Sequence, residues 1–228
     1  MNIAIVAVGD ELLSGDTVNT NAAWLGERLT ERGVDVERVT VVPDRIADIA
    51  RTVNEYAAEY DTVIVTGGIG PTHDDVTMDA VAAAVGRSLE TNETVLEWLA
   101  DERDYVRSDL TDGTADLPAG ARPLHNTTGV APGCVVENVY VFPGVPEEMR
   151  AMFGSVASAF NGEERYTGSL VIDEPESALV GRLRELQERF GVKVGSYPGE
   201  HVRVKIGSTD EETVEKAVSW LRERSETV

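Results

Sequence analysis

Three stretches of this 228-residue chain set glycines close to carboxylates or to prolines. The longest is Gly67-Gly68-Ile69-Gly70-Pro71-Thr72-His73-Asp74-Asp75. Its three glycines let backbone amides approach a ligand closely, and the start of the helix expected after it adds a positive dipole suited to phosphate. Asp74 and Asp75 have two readings. They are caps of that helix, or they are ligands of a magnesium or other divalent ion beside a bound phosphate, where a carboxylate needs a cation to offset repulsion. In the second reading they are also the catalytic pair, with Asp10 as a further metal ligand. The stretch Gly9-Asp10-Glu11 supplies that second pair of acids, although either one serves equally well as a loop cap or a solvated charge. Ser14, Asn19, Thr20 and Asn21 can hydrogen-bond a sugar or heterocycle, or simply their own loop. Thr72, together with Thr127, Thr128 and Gly129 of the 125–133 stretch HNTTGVAPG, adds hydroxyls and amides. The third stretch is Pro143-Gly144-Val145-Pro146. No Gly-Lys-Ser/Thr follows the glycines and their spacing is not G-x-G-x-x-G, so neither phosphate-loop fingerprint is present. His73 and His125 read as surface or loop histidines, and Cys134 as core.

The elements that must position these residues alternate. Residues 1–8 read as a buried strand, and 9–21 as a long turn-rich loop. Ala22, Leu25 and Leu29 then recur at helical spacing, with Gly33 placed to end the helix. A strand at 36–42, a helix with Ile46, Ile49, Val53 and Tyr56 toward the core, and a strand at 62–66 come next. The helix after the glycine loop carries Val76, Ala80, Val81, Ala84 and Val85, and Gly86 should stop it. Alternation of this kind implies right-handed crossovers and a mostly parallel sheet. The loops leaving the carboxyl ends of its strands share one edge, where ligands of open α/β sheets bind, and all three special stretches are such loops. A helix near 92–106 and a Gly- and Pro-containing stretch at 112–133 follow. Strands at 133–136 and 139–142 form a hairpin around Glu137-Asn138, and Pro146 starts a helix with Met149, Phe153, Val156 and Phe160 on one face. A boundary at 161–164 separates a domain at 1–163 from a module at 164–228, whose order is strand, helix, two strands and helix. The fold class read from the residues is therefore α/β, a mostly parallel sheet covered on both faces, with a small α+β (βαββα) module.

Composition narrows the partners. The chain carries 41 acids against 20 bases, a formal charge of -21, and 28 of those acids face only 10 bases within residues 1–163. An acidic body gains nothing from counterion release, so no nucleic-acid partner is expected. No apolar run approaches the roughly 18 residues of a membrane span, and no secretion signal is read, so no membrane partner is expected either. A single cysteine and three histidines disfavour disulfides and structural zinc, which suits a reducing cytoplasm. Only three lysines accompany the acids, a balance that resembles the surfaces of proteins from salt-loving organisms.

The stretches GDELLSGDTVNTNAAWL (9–25), GGIGPTHDDVT (67–77), NTTGVAPG (126–133) and PGVPEEM (143–149) occur in the order and context of a motif series. Together they resemble the competence- and damage-inducible protein A (CinA) family, whose N-terminal domain is similar to the molybdopterin-binding domain of molybdenum cofactor biosynthesis proteins. Glu176-Ser177 and Tyr197-Pro198 resemble the small module that follows in such proteins. The resemblance implies a three-layer α/β/α sandwich with its ligand site on the glycine-loop edge and, in some members, metal-dependent hydrolysis of ADP-ribose. Longer relatives carry a nicotinamide mononucleotide deamidase domain for which this sequence, ending at Val228, leaves no room. A KH-type RNA module is disfavoured because residues 195–199 lack the GXXG spacing.

Two functions are thus expected. The first is a magnesium-dependent hydrolase of a nucleotide diphosphate, with Gly67, Gly68 and Gly70 positioning phosphates, and Gly9, Asp10, Glu11, Ser14, Asn19, Asn21, Thr72, Thr128, Gly129, Gly144 and Pro146 contributing to the ligand site. The alternative is a pterin- or nucleotide-binding module without turnover, or an adenylyl-transfer protein. A vestigial site on an assembly scaffold is a third possibility, against which the retained motifs argue. No bound organic cofactor is expected, the partner is a small nucleotide or pterin phosphate, and self-association is left open.

The charge makes one outcome measurable. Because the Debye length falls from about 30 Å at 0.01 M salt to about 3 Å at 1 M, the melting midpoint should rise from low to multimolar potassium chloride. A midpoint that is flat or falls with salt contradicts this.

Overall fold

The computed structural model describes residues 1–163 and 165–228, so Glu164, one of the four residues at the expected boundary, lies outside the described residues. Met1–Thr30 and Val34–Gly162 form one compact unit, and Glu163–Val228 with Glu31–Gly33 form another. Among the described residues, no helix is long and apolar enough to cross a membrane.

The first unit starts with β1 (Asn2–Val8), a one-turn helix α1 (Asp10–Ser14), α2 (Thr20–Glu31), β2 (Asp35–Val42), α3 (Ile46–Glu59), β3 (Thr62–Gly67) and α4 (Thr77–Ala84). It continues with β4 (Leu89–Thr91), α5 (Glu93–Arg103), β5 (Asp116–Pro118), β6 (Arg122–Leu124), β7 (Gly133–Val136), β8 (Val139–Pro143) and α6 (Pro146–Val156). The six-stranded sheet has the order β2-β1-β3-β8-β7-β6. β1 pairs in parallel with β2 and β3, and β3 in parallel with β8. β7 and β6 then add antiparallel. The carboxyl ends of β1, β2, β3 and β8 therefore lie on one edge.

Successive strand side chains point to opposite faces, so a strand covered on both sides reads as one unbroken apolar run. β1 shows this directly. Ala4, Val6 and Val8 pack with Val63 and Val65 of β3, Ile49 and Val53 of α3, Val81 of α4 and Leu99 of α5. Ile3 and Ile5 pack instead with Ile64, Phe142, Leu25 and Leu29 of α2, and Met149 and Phe153 of α6. These two cores make the three layers of the sandwich.

Several local expectations are corrected. The 9–21 stretch is not all loop. Asp10 and Glu11 occupy the first turn of α1, where negative charge is favoured, and Gly15 ends it in the left-handed region at φ +82°. Ile46 opens α3 and stays 44% exposed, the core stripe beginning one turn later at Ile49. The helix expected to 106 stops at Arg103, with Asp104 left-handed at φ +56°. The 112–133 stretch contains β5, which pairs with β4, and β6, which extends the main sheet. Strands of three residues offer too few positions for alternation to register. Phe160 lies beyond α6, yet a 3-10 turn at Ala157–Ala159 returns it to the core, where it stacks on Phe153 at 5.2 Å.

The second unit contains β9 (Tyr166–Ile172), α7 (Glu176–Phe190), β10 (Lys193–Tyr197), β11 (Val202–Ser208) and α8 (Glu211–Arg222), with an antiparallel sheet ordered β10-β11-β9. Leu170, Ile172, Leu179, Leu186, Val204, Ile206 and Trp220 form its own core. Arg182 ties α7 to the chain end by gripping the Glu174 carboxylate and donating to the Ser225 hydroxyl at 2.9 Å. The Arg182 hydrogen bonds, followed by the Glu226 amide, hold the Glu174 carboxyl down at about 2.

Two outcomes follow from this packing. Ile64→Ala, at the centre of the sheet, should cost about 2–5 kcal/mol in chemical denaturation, and a loss below 1 kcal/mol would contradict its place in the core. The depressed Glu174 carboxyl stabilises the fold above its ordinary value of 4.5 and loses that contribution as pH falls toward about 2. Glu174→Gln should therefore melt below the parent chain at neutral pH, with the gap closing across that acid window. A gap independent of pH contradicts the pairing.

Candidate functional site

The glycines at the ends of β1, β3 and β8 bring three loops into contact. A methyl group on Gly67 would lie 2.7 Å from both Val8 Cβ and Thr77 Oγ1, and one on Gly144 would lie 3.4 Å from the Gly67 carbonyl. Gly9 donates its amide to the Val42 carbonyl at 3.1 Å, which anchors the exit from β1 to β2. Asn21, at the start of α2, donates its side-chain amide to the Gly144 carbonyl at 2.7 Å. Beside this junction is a cavity of about 90 Å³ lined in part by Glu11, Asn19, Thr20, Asn21, Thr66 and Pro146. Asn21 Oδ1 and Thr77 Oγ1 are buried and have no hydrogen-bond partner among the described residues. Buried polar atoms are costly to leave unpaired, by about 1–3 kcal/mol each, so both mark places where water or a ligand group would be held.

The glycine loop closes on its own aspartate. A methyl on Gly68 would collide with the Asp75 carboxylate, and one on Gly70 would come within 2.7 Å of it. The Thr72 hydroxyl lies between the two carboxylates, 2.8 Å from Asp74 and in contact with Asp75, and shares its one proton with them, while the Thr72 amide donates to Asp75 at 3.3 Å. Gly68 and Gly70 thus make room for a carboxylate already in the loop. Asp74 is 73% exposed, and the Thr72 hydroxyl is the main reason its carboxyl is held below the ordinary aspartate range. Neither aspartate caps α4: Val76 occupies the capping position with no side-chain bond. The cap reading is therefore corrected. Asp75 also lines a cavity of about 230 Å³ with Asp79, Asp112 and Asp116, acids that nothing but their charge marks in the sequence.

The expected metal set is not assembled. Among the described residues, no three histidines, cysteines or carboxylates gather where they could hold an ion, so Asp10 does not join Asp74 and Asp75. Asp10 instead begins α1, its amide donating to Asp44 at 2.8 Å. Magnesium needs only one or two carboxylates when phosphates supply further oxygens, so the adjacent Asp74 and Asp75 suit it, whereas the described residues offer no closed zinc site.

Other expected residues serve their own loops. Ser14 donates its hydroxyl to Asp16 at 2.7 Å, with the Glu11 carbonyl 3.2 Å from the same oxygen, and Asn19 accepts the Ala22 amide at 3.0 Å. Glu11 turns its carboxylate over Gly9, where an added methyl would strike it. Thr128 and Gly129 donate their amides to Asn126 Oδ1 at 3.2 and 2.7 Å. Asn126, only 1% exposed, in turn donates to Glu148 at 2.6 Å and to the Ala131 carbonyl at 3.0 Å. Asn126 and Glu148 were missed as positioning residues. An Asn before Thr-Thr-Gly is a recognisable turn signal, but nothing in the sequence shows that α6 brings Glu148 beside it. His73 is exposed and 3.7 Å from Asp74. His125 stacks on Trp98 at 4.6 Å and is pushed toward its neutral form by burial. Burial drives the Cys134 thiol up to about 12, which removes it as a nucleophile.

Comparison with known proteins accords with this layout. Residues 4–161 match the family described as a probable molybdopterin binding domain, and residues 164–227 match the middle domain of FAD synthase. An Archaeoglobus fulgidus protein is 37% identical, across 98% of this chain and 97% of its own. A CinA-like protein of Frankia casuarinae is 46% identical over 67% of this chain and 38% of its own. The solved structure of CinA from Thermoplasma acidophilum, a protein described as having unknown function, superposes with a TM-score of 0.64 at 36% identity, covering 70% of this chain and 97% of that one. A domain match over more than half the sequence, with full-length and structural relatives of this similarity, leads to one conclusion: the chain belongs to the CinA-like proteins of the molybdopterin-binding-domain family.

Proposed function

We propose that the carboxyl edge of the sheet binds a nucleotide diphosphate such as ADP-ribose and hydrolyses it with a divalent cation held by Asp74 and Asp75. The observation that carries this reading is the exposed, ionised Asp74 beside Asp75 on a glycine loop that abuts the ends of two neighbouring strands. When bound, the cation would neutralise diphosphate charge and acidify a water. The chain's own part is positional. Thr72 orients both carboxylates, Asn21 has an unused amide oxygen for a hydroxyl or ring nitrogen donor, and Asn126 fixes the amides of Thr128 and Gly129. His73 is exposed and 3.7 Å from Asp74, so it suits proton transfer better than the stacked His125.

A second reading, favoured by the unpartnered Asn21 oxygen beside the small cavity at the strand ends, is binding of a pterin or nucleotide phosphate without turnover. Purified chain in high potassium chloride, incubated with ADP-ribose and Mg²⁺, Mn²⁺ or Co²⁺, distinguishes the two. Release of AMP supports hydrolysis, and saturable binding with no product supports the module.

Asp74→Asn and Asp75→Asn should each lower metal-dependent turnover or affinity by about tenfold or more. They should differ in stability. Asp74→Asn should leave the melting midpoint nearly unchanged, whereas Asp75→Asn removes the anion that the loop encloses and should lower it. Metal-dependent affinity unchanged in both variants would overturn the proposed site.

A further inference from the structure

We propose that the 163–228 unit is the self-association module of this protein, pairing α7 and β10 with the same two elements of a second copy about a two-fold axis near Val180. A groove of about 490 Å³ runs between α7 and β10 and is lined by Glu176, Val180, Leu183, Arg184, Val194 and Ser196, among others. The two outer strands of the sheet are finished differently. β9 is covered by the chain's own end, where Ile172 bridges Thr227, Val228 donates to the Val171 carbonyl at 3.3 Å and Asp173 donates to the Glu226 carbonyl at 2.7 Å. β10 has no strand on its outer side among the described residues. An uncovered edge strand presents backbone donors and acceptors to another strand.

Charge complementarity selects a second copy as the occupant. Glu176, Val180 and Arg184 follow one another at intervals of four on one helix face, and Val180 is 54% exposed. Two antiparallel α7 helices related by a two-fold at Val180 place Glu176 of each opposite Arg184 of the other, so one symmetry operation makes two ion pairs. Arg184 has no ion-pair partner among the described residues. The Glu176 carboxylate accepts the Ser196 hydroxyl at 2.6 Å and keeps its second oxygen available.

The same axis serves the strand. Ser196 stands level with Glu176 through that bond, and one helical turn of about 5.4 Å is close to two strand residues of about 6.6 Å, so Val180 stands level with the Val194-Gly195 segment. A two-fold there joins β10 to β10 antiparallel while the α7 strips meet above. The net charges also favour this face, because residues 164–228 carry 10 bases against 13 acids, far less repulsive than the 10 against 28 of residues 1–163.

Sedimentation equilibrium of the full chain in about 1 M potassium chloride, where long-range repulsion is screened, tests the proposal. The expected species is a dimer of the 24.6 kDa chain. Arg184→Glu should weaken the dimer by about tenfold or more, because it sets like charges opposite each other, and adding Glu176→Arg to that variant should restore it. Arg184 is exposed, so its variant should keep the parent melting midpoint. Val180→Cys should form a disulfide-linked dimer on oxidation, with buried Cys134 unaffected. A chain that stays monomeric, a dimer indifferent to Arg184→Glu, or a failed charge swap would each overturn the proposal.

Discussion

Close approach of backbone at the ends of β1, β3 and β8 is the constraint on which the site depends. Gly67 has no side chain because Val8 and Thr77 occupy the space, and Gly144 lies against the Gly67 carbonyl. Strands in a parallel sheet are about 4.8 Å apart, so loops that leave adjacent strands stay together only if their first residues are small enough to run side by side. With glycine there, the acids and amides of three distant segments share one edge. Larger residues would force the loops apart and the edge would carry three unrelated turns.

Carboxylates fill the space that the glycines open. Asp75 lies over Gly68 and Gly70, Glu11 over Gly9, and Glu148 over Gly129. Each acid is placed by a short side chain or turn: Thr72 for Asp75, the first turn of α1 for Glu11, and Asn126 for Glu148. The result is an edge rich in fixed negative charge. A phosphate approaching it meets repulsion unless a cation comes too, which makes the binding proposed here dependent on a divalent ion by simple electrostatics.

Much of this was legible in the residues. The unbroken run Ile3–Val8 and the stripe Ala22, Leu25, Leu29 predict a doubly covered strand and its packing helix, and both occur as expected. The glycine stretches are also where the sequence predicts loops on the carboxyl edge. What the sequence hides is pairing over distance. The same Asp75 pattern suits a helix cap, and only the position of Thr72 and the close Gly68 backbone turn it into the loop's enclosed anion. Asn126 was visible as a turn residue, but its partner Glu148 lies 22 residues later on a different helix. Short strands such as β5 and β6 escaped because three residues do not show a period.

The central claim is that Asp74 and Asp75, with the glycine loop, hold a cation and a phosphate together. The most direct measurement is a crystal of the chain grown with manganese and ADP-ribose, read by anomalous scattering at the manganese edge. The account predicts one strong manganese peak on the Asp74 or Asp75 carboxylate with diphosphate density against residues 67–70. A ligand bound on this edge with no manganese at either aspartate, or manganese and ligand together elsewhere on the protein, would contradict it.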